Sequence, residues 1–341
     1  TSLGNIMNNY KLITKQNLHS FFDALQPKNT IIAPKEINKK YYFKPVDKFE
    51  DIALDYIQTV LSAKSVLFPR TDTLFNFRRA DGDYNIEEPN PIEKNTIVFG
   101  MKPCDASSFV YLSNFFLKDY QDKKIKERLE KLYIISLSCK EADNACFCTS
   151  VGSNPASTKG SDLNLTLIEN DTYYVEVVTE KGQELINYSA DLFQDTKEID
   201  KSKYIANVPQ KFDVEQAKQN IDSIFESPLW VKDSLACLGC GICAYACPTC
   251  TCFDIQDIGS QFNGSRVRNW DSCAFDLFTK HASGHNPRPV QSQRWRNRIK
   301  HKFEYSVENL GLISCVGCGR CIRSCPTSMN IVKTVQILQG V

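Results

Sequence analysis

The chain has 341 residues, with 41 Lys and Arg against 40 Asp and Glu, a formal net charge of +1, and 15 cysteines. This length suits two domains of ordinary size, and the near-neutral balance excludes a globally basic nucleic-acid binder or an acidic tail protein. The cysteines are too sparse for a small disulfide scaffold, and no apolar run approaches the roughly 18 residues of a membrane helix; a cytoplasmic, reducing setting is therefore expected, where clustered cysteines act as metal ligands or catalysts.

In chain order, the apolar residues of Leu18–Leu25 fall three and four apart and predict a helix, and Thr30–Ala33 reads as a short buried strand. A second helix is expected over Ile52–Leu61, strands at Ser65–Phe68 and Thr96–Gly100, a helix over Ala106–Lys118 and a strand at Leu132–Ser138. Strands alternating with helices predict an α/β arrangement. Leu163–Ile168 and Tyr173–Thr179, joined by the polar residues 169–172, predict a hairpin. From about residue 188 to 211 the chain is polar and rich in Lys and Asp, as a linker would be, and Val214–Phe225 then reads as a helix. Asp254–Ile258, Phe275–Lys280 and Arg294–Lys302 are helix-compatible. The expected architecture is an α+β multidomain chain. An α/β domain spans residues 1–205, and a mainly helical dicluster ferredoxin domain spans 206–341.

The cysteines divide the chain more sharply than hydropathy does: none in 1–103, four in 104–148, none in 149–236 and eleven in 237–325. Cys237, Cys240, Cys243 and Cys247, followed by Pro248, have the spacing C-x2-C-x2-C-x3-C-P, which recurs 78 residues later as Cys315, Cys318, Cys321, Cys325 and Pro326. A cubane [4Fe–4S] cluster has four iron corners, each taking one thiolate. Three cysteines at three-residue spacing wrap one cube, while the fourth, a helical turn further on, ligates the other cluster. The expected sets are Cys237, Cys240, Cys243 and Cys325 for cluster 1, and Cys315, Cys318, Cys321 and Cys247 for cluster 2. Zinc knuckles share C-x2-C, but zinc takes two such pairs and gives no reason for three cysteines and then x3-C-P, twice.

Seven cysteines remain. Cys104, Cys139, Cys146 and Cys148 are the four that a third [4Fe–4S] cluster needs; Cys104 and Cys139 follow two strands whose carboxyl ends converge on one edge of an α/β sheet. A structural zinc or plain buried thiols are the other readings of these four. Cys250, Cys252 and Cys273 admit three readings: packing, a further metal site completed by His281 or His285, or redox-active thiols, with Cys250 and Cys252 as the pair. The basic run Arg288, Arg294, Arg296, Arg298, Lys300 and Lys302 reads as charge compensation for anionic clusters or as a docking face. No G-x-G-x-x-G follows a strand and no Walker A run exists, so no nucleotide or flavin signature is visible.

Beyond the clusters, several stretches carry a family resemblance: Gly100–Ala106, Ser138-Cys139 with Cys146-Phe147-Cys148, Pro228–Trp230, Cys247–Cys252, Trp270–Cys273, Gly284–Asn286 and Arg294–Arg298. In these the chain resembles the β (iron–sulfur) subunit of cytosolic sulfhydrogenase-type [NiFe] hydrogenases and the corresponding iron–sulfur subunit of anaerobic sulfite reductase. The resemblance implies an electron-transfer subunit that links a catalytic redox subunit to a flavin-bearing NAD(P)H-oxidising one, with no nucleic acid and no membrane span. The competing expectation is a catalytic oxidoreductase subunit with its reaction centre at the N-terminal cysteine group.

Overall fold

A computed structural model of the chain describes residues 9–80 and 82–340. Its strands are β1 (Asn9–Thr14), β2 (Asn29–Ile37), β3 (Lys40–Pro45), β4 (Thr71–Ala80), β5 (Asp83–Glu87) and β6 (Asn95–Met101), followed by β7 (Leu132–Leu137), β8 (Leu163–Leu167), β9 (Thr172–Val177), β10 (Gln194–Asp195), β11 (Phe253–Gly259) and β12 (Asn263–Trp270). Eight of them form one sheet in the order β10-β1-β9-β8-β7-β6-β2-β3. Its centre, β2-β6-β7-β8, is parallel, and its flanks are antiparallel. Parallel strands need cover on both faces, and β6 accordingly buries its last five residues, Ile97–Met101.

That cover comes from α1 (Lys15–Leu25) on one side and from α2 (Pro103–Leu117) and α3 (Lys123–Glu130) on the other. Ile97 and Phe99 of β6 face Leu18, Phe21 and Phe22 of α1, whereas Val98 and Met101 join Phe109, Leu112 and Phe116 of α2 and Ile125 of α3. Each such side chain contributes on the order of 1.5–3 kcal/mol when fully buried. Helix α1 starts where the Thr14 side chain accepts from the Asn17 N–H. Pro103 opens α2, where a missing N–H costs nothing. A short α4 (Glu180–Asn187) follows the β8–β9 hairpin, which forms as the alternation predicts.

The C-terminal part contains α5 (Val214–Ile221), α6 (Leu229–Ser234), α7 (Ile242–Tyr245), α8 (Gln291–Lys300), α9 (Ser306–Leu310), α10 (Arg320–Arg323) and α11 (Ile331–Gln339). Its core is built on Phe212, Trp230, Trp295, Ile299, Phe303 and Val335, with Phe147 inserted from the N-terminal part.

The α+β character is as expected, but this part is not simply helical. Asp254–Ile258, expected as helix, is β11, paired antiparallel with β12. Strand β12 in turn pairs with β4, nearly two hundred residues earlier, giving a second sheet β11-β12-β4-β5 that spans both parts. Arg268 of β12 donates to Asp72 at 2.8 Å and to Asp122 at 2.5 Å, and Arg128 donates to Asp72 at 2.6 Å. The hairpin's place is therefore set by partners outside its own segment. Two N-terminal expectations also differ. Ser65–Phe68 belongs to a 3-10 turn, Ala63–Val66, and its exit rather than a strand. Ile52–Leu61 is irregular, because its backbone bonds sideways: the Ala53 N–H donates to Pro34 O at 2.7 Å and the Val60 N–H to Tyr41 O at 2.9 Å.

Candidate iron–sulfur centres

Each C-terminal cysteine motif is a loop turned by two left-handed glycines, Gly239 and Gly241 in the first (φ 66° and 76°) and Gly317 and Gly319 in the second (φ 65° and 73°). The last residue of each loop enters one turn of helix, α7 or α10, which carries the fourth cysteine away from the other three. Cys237, Cys240 and Cys243 line one cavity together with Cys325, the fourth cysteine of the other motif. Cys315, Cys318 and Cys321 line a second cavity together with Cys247, and Cys321 borders both. Among the described residues, no three His, Cys, Asp or Glu side chains converge as the ligands of a single ion would. A cubane instead takes one thiolate at each of four separated corners, which suits cysteines spread around a cavity.

The surroundings of these sulfurs suit an anionic group. Gln291 Nε2 donates to Cys237 Sγ at 3.1 Å, and the Met329 N–H donates to Cys325 Sγ at 3.2 Å. Lys302, 2% exposed, places Nζ 3.3 Å from Cys247 Sγ and 2.7 Å from Ser314 O. Arg298, 3% exposed, donates to Cys250 Sγ at 3.5 Å and Cys243 O at 2.7 Å. Burying two cations without partners would be costly; here the cysteines are the partners, and their charge holds Lys302 above the ordinary lysine range despite burial. Of the basic run, Arg298 and Lys302 thus line the two cysteine cavities, whereas Arg294 pairs with Asp276, Arg296 with Glu226, and Lys300 with Asp222 and Glu304. Burial pushes the Cys315 thiol up to about 11. The neighbouring Cys250 thiol, with Lys302 and Arg298 nearby, lowers Cys247 and favours the thiolate a ligand needs.

The four N-terminal cysteines gather where β6 and β7 end. Cys104 is the second residue of α2 and accepts a contact from Gln58 Nε2 at 3.5 Å; Cys139 follows β7; Cys146 Sγ lies 3.1 Å from Arg323 Nη2. They are close enough to influence one another: Cys139 adds to the burial and the Asp105 charge that raise Cys104, and Cys139 and Cys146 add to the burial that pushes Cys148 up to about 12. Lys102, 3% exposed, sits beside Cys139 and Cys104 with its ammonium 4.4 Å from the Tyr56 ring centroid.

This group abuts the second cysteine loop. The Phe147 N–H donates to Gly317 O at 2.9 Å, and a Cβ at Gly317 would lie 2.4 Å from the Cys148 nitrogen. At Gly319 it would lie 2.4 Å from Ala145 O. Only glycine permits this approach. Arg320, next in the loop and 1% exposed, donates to both Asp105 oxygens at 2.5 Å, to Thr59 O at 2.9 Å and to Gln58 Oε1 at 2.5 Å. An open cleft of about 950 Å³, whose lining includes Lys102, Tyr56, Gln58, Lys140, Arg320 and Arg323, runs along this edge.

Sequence reasoning missed this joint, although both ends lie in motifs it singled out, Cys104-Asp105 and Cys318-Gly-Arg320-Cys321. It also missed Lys64, which crosses from the N-terminal part to donate to Cys250 O at 3.0 Å and lies 4.1 Å over the Trp270 ring; no local signal marks it. The three remaining cysteines are brought together, but not as Cys250 with Cys252. Cys250 and Cys247 influence each other most strongly, as do Cys252 and Cys273. The neighbouring Cys252, with the Arg298 and Lys302 charges, lowers Cys273 to about 6. His281 and His285 face each other across an exposed turn, ring centroids 5.4 Å apart.

Residues 236–329 match the family model of a 4Fe-4S dicluster domain. The chain is 29% identical to sulfhydrogenase 2 subunit beta of Pyrococcus furiosus over 339 residues, covering 96% of this chain and 97% of the relative. The resemblance read from the motifs therefore extends along nearly the whole chain, and it supports an iron–sulfur electron-transfer role. Among the described residues, no helix is long and apolar enough to cross a membrane.

Proposed function

We propose that this chain, similar to a sulfhydrogenase β subunit over 96% of its length, is the electron-conducting subunit of a multiprotein redox complex. It passes electrons between a catalytic subunit of hydrogenase or sulfite-reductase type and a flavin- or NAD(P)H-type subunit. Three [4Fe–4S] clusters act as one-electron carriers when bound. Cys237, Cys240, Cys243 and Cys325 hold the first, Cys315, Cys318, Cys321 and Cys247 the second, and Cys104, Cys139, Cys146 and Cys148 the third. The observation that carries this reading is the close packing of cysteine groups in series: Gly317 and Gly319 of the second loop touch the 145–148 loop, and Cys321 borders both C-terminal cavities. Arg298 and Lys302 compensate charge between the C-terminal pair, and Lys102 does so at the third group. Exposed Leu235, Leu238 and Cys240 at the first loop, and the cleft beside the third group, leave both ends of the series open to partners.

The cleft also favours a second reading, in which a reactant enters it and reacts at the N-terminal cysteine group. Iron and sulfide counting on anaerobically purified protein tests the wiring: three clusters predict about 12 Fe per chain, two predict about 8. A chain that carries zinc alone overturns both readings. NAD(P)H-driven dye reduction by the isolated chain would favour the catalytic reading; activity that returns only with partner subunits supports the conductor.

Lys302→Met removes a buried positive charge next to Cys247. With an effective dielectric near 20, the lost attraction is about 3 kcal/mol, so the reduction potential of the second cluster is expected to fall by on the order of 100 mV. A redox titration followed by electron paramagnetic resonance checks this; an unchanged potential would mean that Lys302 does not face the cluster.

A further inference from the structure

Cys252 and Cys273 belong to neither C-terminal cavity. Cys252 is the last residue before β11, and Cys273 lies three residues past the end of β12, so the two flank the open end of one hairpin. Phe253 pairs with Trp270, and the Asp271 N–H donates to Cys252 O at 2.9 Å, which holds the flanking segments in register. The two thiols are close enough that each is the largest influence on the other's ionisation, and the nearby Arg298 guanidinium favours the Cys273 thiolate. Both cysteines are partly exposed, and Asp271 and Ala274, on either side of Ser272-Cys273, line a surface pocket.

We propose that Cys252 and Cys273 form a reversible dithiol–disulfide couple, a redox-modification site set against the first cysteine loop. The chemistry is thiol–disulfide exchange with a disulfide-class oxidant. One cysteine, as thiolate, attacks the oxidant and releases its first thiol; the second cysteine then resolves the mixed disulfide and releases the second. Two cysteine S–H bonds are lost, one S–S bond forms, and the two electrons and two protons end in the two thiols made from the oxidant. Arg298 favours the attacking thiolate. The hairpin register keeps the resolving sulfur within reach.

The consequence reaches the first cluster loop by contact. The turn that carries Cys273 lies under Gly239 and Gly241: a Cβ on Gly241 would meet the Phe275 ring at 2.6 Å and Ser272 Cβ at 3.1 Å, and one on Gly239 would meet Ala274 O at 3.4 Å. Interiors packed this closely transmit a local shift to their neighbours. Drawing the two sulfurs together to the roughly 2.05 Å of a disulfide bond therefore displaces the floor of the Cys237–Cys243 loop.

The test uses the whole, anaerobically purified protein, treated with glutathione disulfide, alkylated with N-ethylmaleimide and digested for mass spectrometry. The expected result is a linked Cys252–Cys273 peptide, protection of both residues from alkylation, full reversal by dithiothreitol, and unchanged iron content. Cys252→Ser and Cys273→Ser should each abolish the link while keeping the wild-type iron content. The resonance spectrum of the first cluster is expected to change on oxidation of the wild type and to stay constant in both variants. Full alkylation of both cysteines after oxidation, or a link formed only as iron is lost, would overturn the proposal. Because iron content is read separately, failure here is distinguishable from failure of the electron-conducting reading.

Discussion

Asp105→Ala is expected to destabilise the protein by about 3–5 kcal/mol, the cost of breaking a buried ion pair and stranding its partner. Asp105 is 0% exposed and Arg320 1%, so water cannot replace the lost carboxylate. The guanidinium keeps only Thr59 and Gln58, which are polar but uncharged. The same principle predicts the rescue. Adding Arg320→Met removes the stranded charge with similar volume, and the double variant should regain most of the loss, because well-packed apolar replacements of buried pairs are often neutral. Urea midpoints of the cluster-loaded protein under anaerobic conditions measure both effects. A cost below about 1 kcal/mol for Asp105→Ala would place the pair in water, as for a surface ion pair. The position gives the variant a second readout: Asp105 follows Cys104 in α2, and Arg320 lies between Cys318 and Cys321, so the pair fixes the third cysteine group against the second loop.

What the sequence disclosed follows from the range of the interactions involved. The two C-terminal motifs were legible because their spacing is local, with three cysteines within seven residues and a proline after the fourth. The N-terminal four were legible at one remove, because parallel strands β6 and β7 must end on one edge, which places Cys104 near Cys139 whatever the side chains do. The β11–β12 hairpin was not legible. Its Ile255 and Ile258 sit three apart, as on a helix face, and its strand state is secured by pairing with β4 and by the Arg268–Asp72 contact. Ile52–Leu61 failed for the same reason: its spacing suits a helix, but Pro34, Tyr41 and Arg320 take its backbone and side-chain bonds. The pairing of Cys252 with Cys273 depends on that hairpin, so proximity in sequence pointed to Cys250 instead. Long-range pairing overrides local propensity where the two disagree.

Cys247→Ala should damage the cluster held by Cys315, Cys318 and Cys321, not the one held by its own motif. The geometry behind this is that Cys247 shares a cavity with the second motif's three cysteines, whereas Cys325 shares one with the first motif's three. Removing one thiolate leaves an iron corner without a protein ligand, and complete loss of that cluster takes about 4 of the roughly 12 Fe expected with three clusters. Cys325→Ala gives the mirror result. Lys302 makes the two variants unequal: its ammonium lies 3.3 Å from Cys247 Sγ and is buried, so Cys247→Ala also removes its nearest sulfur partner and adds an electrostatic cost to the lost ligand. Cys325 is approached by the Met329 N–H and the Thr327 hydroxyl, with no cation in contact among the described residues, so its loss should leave the fold more stable than the loss of Cys247 does. Iron content, resonance spectra that assign each signal to one cluster, and urea midpoints together decide the matter. Loss of the first cluster's signal in Cys247→Ala would reverse the exchange of ligands between the motifs, and with it the sharing that packs the two centres into one domain.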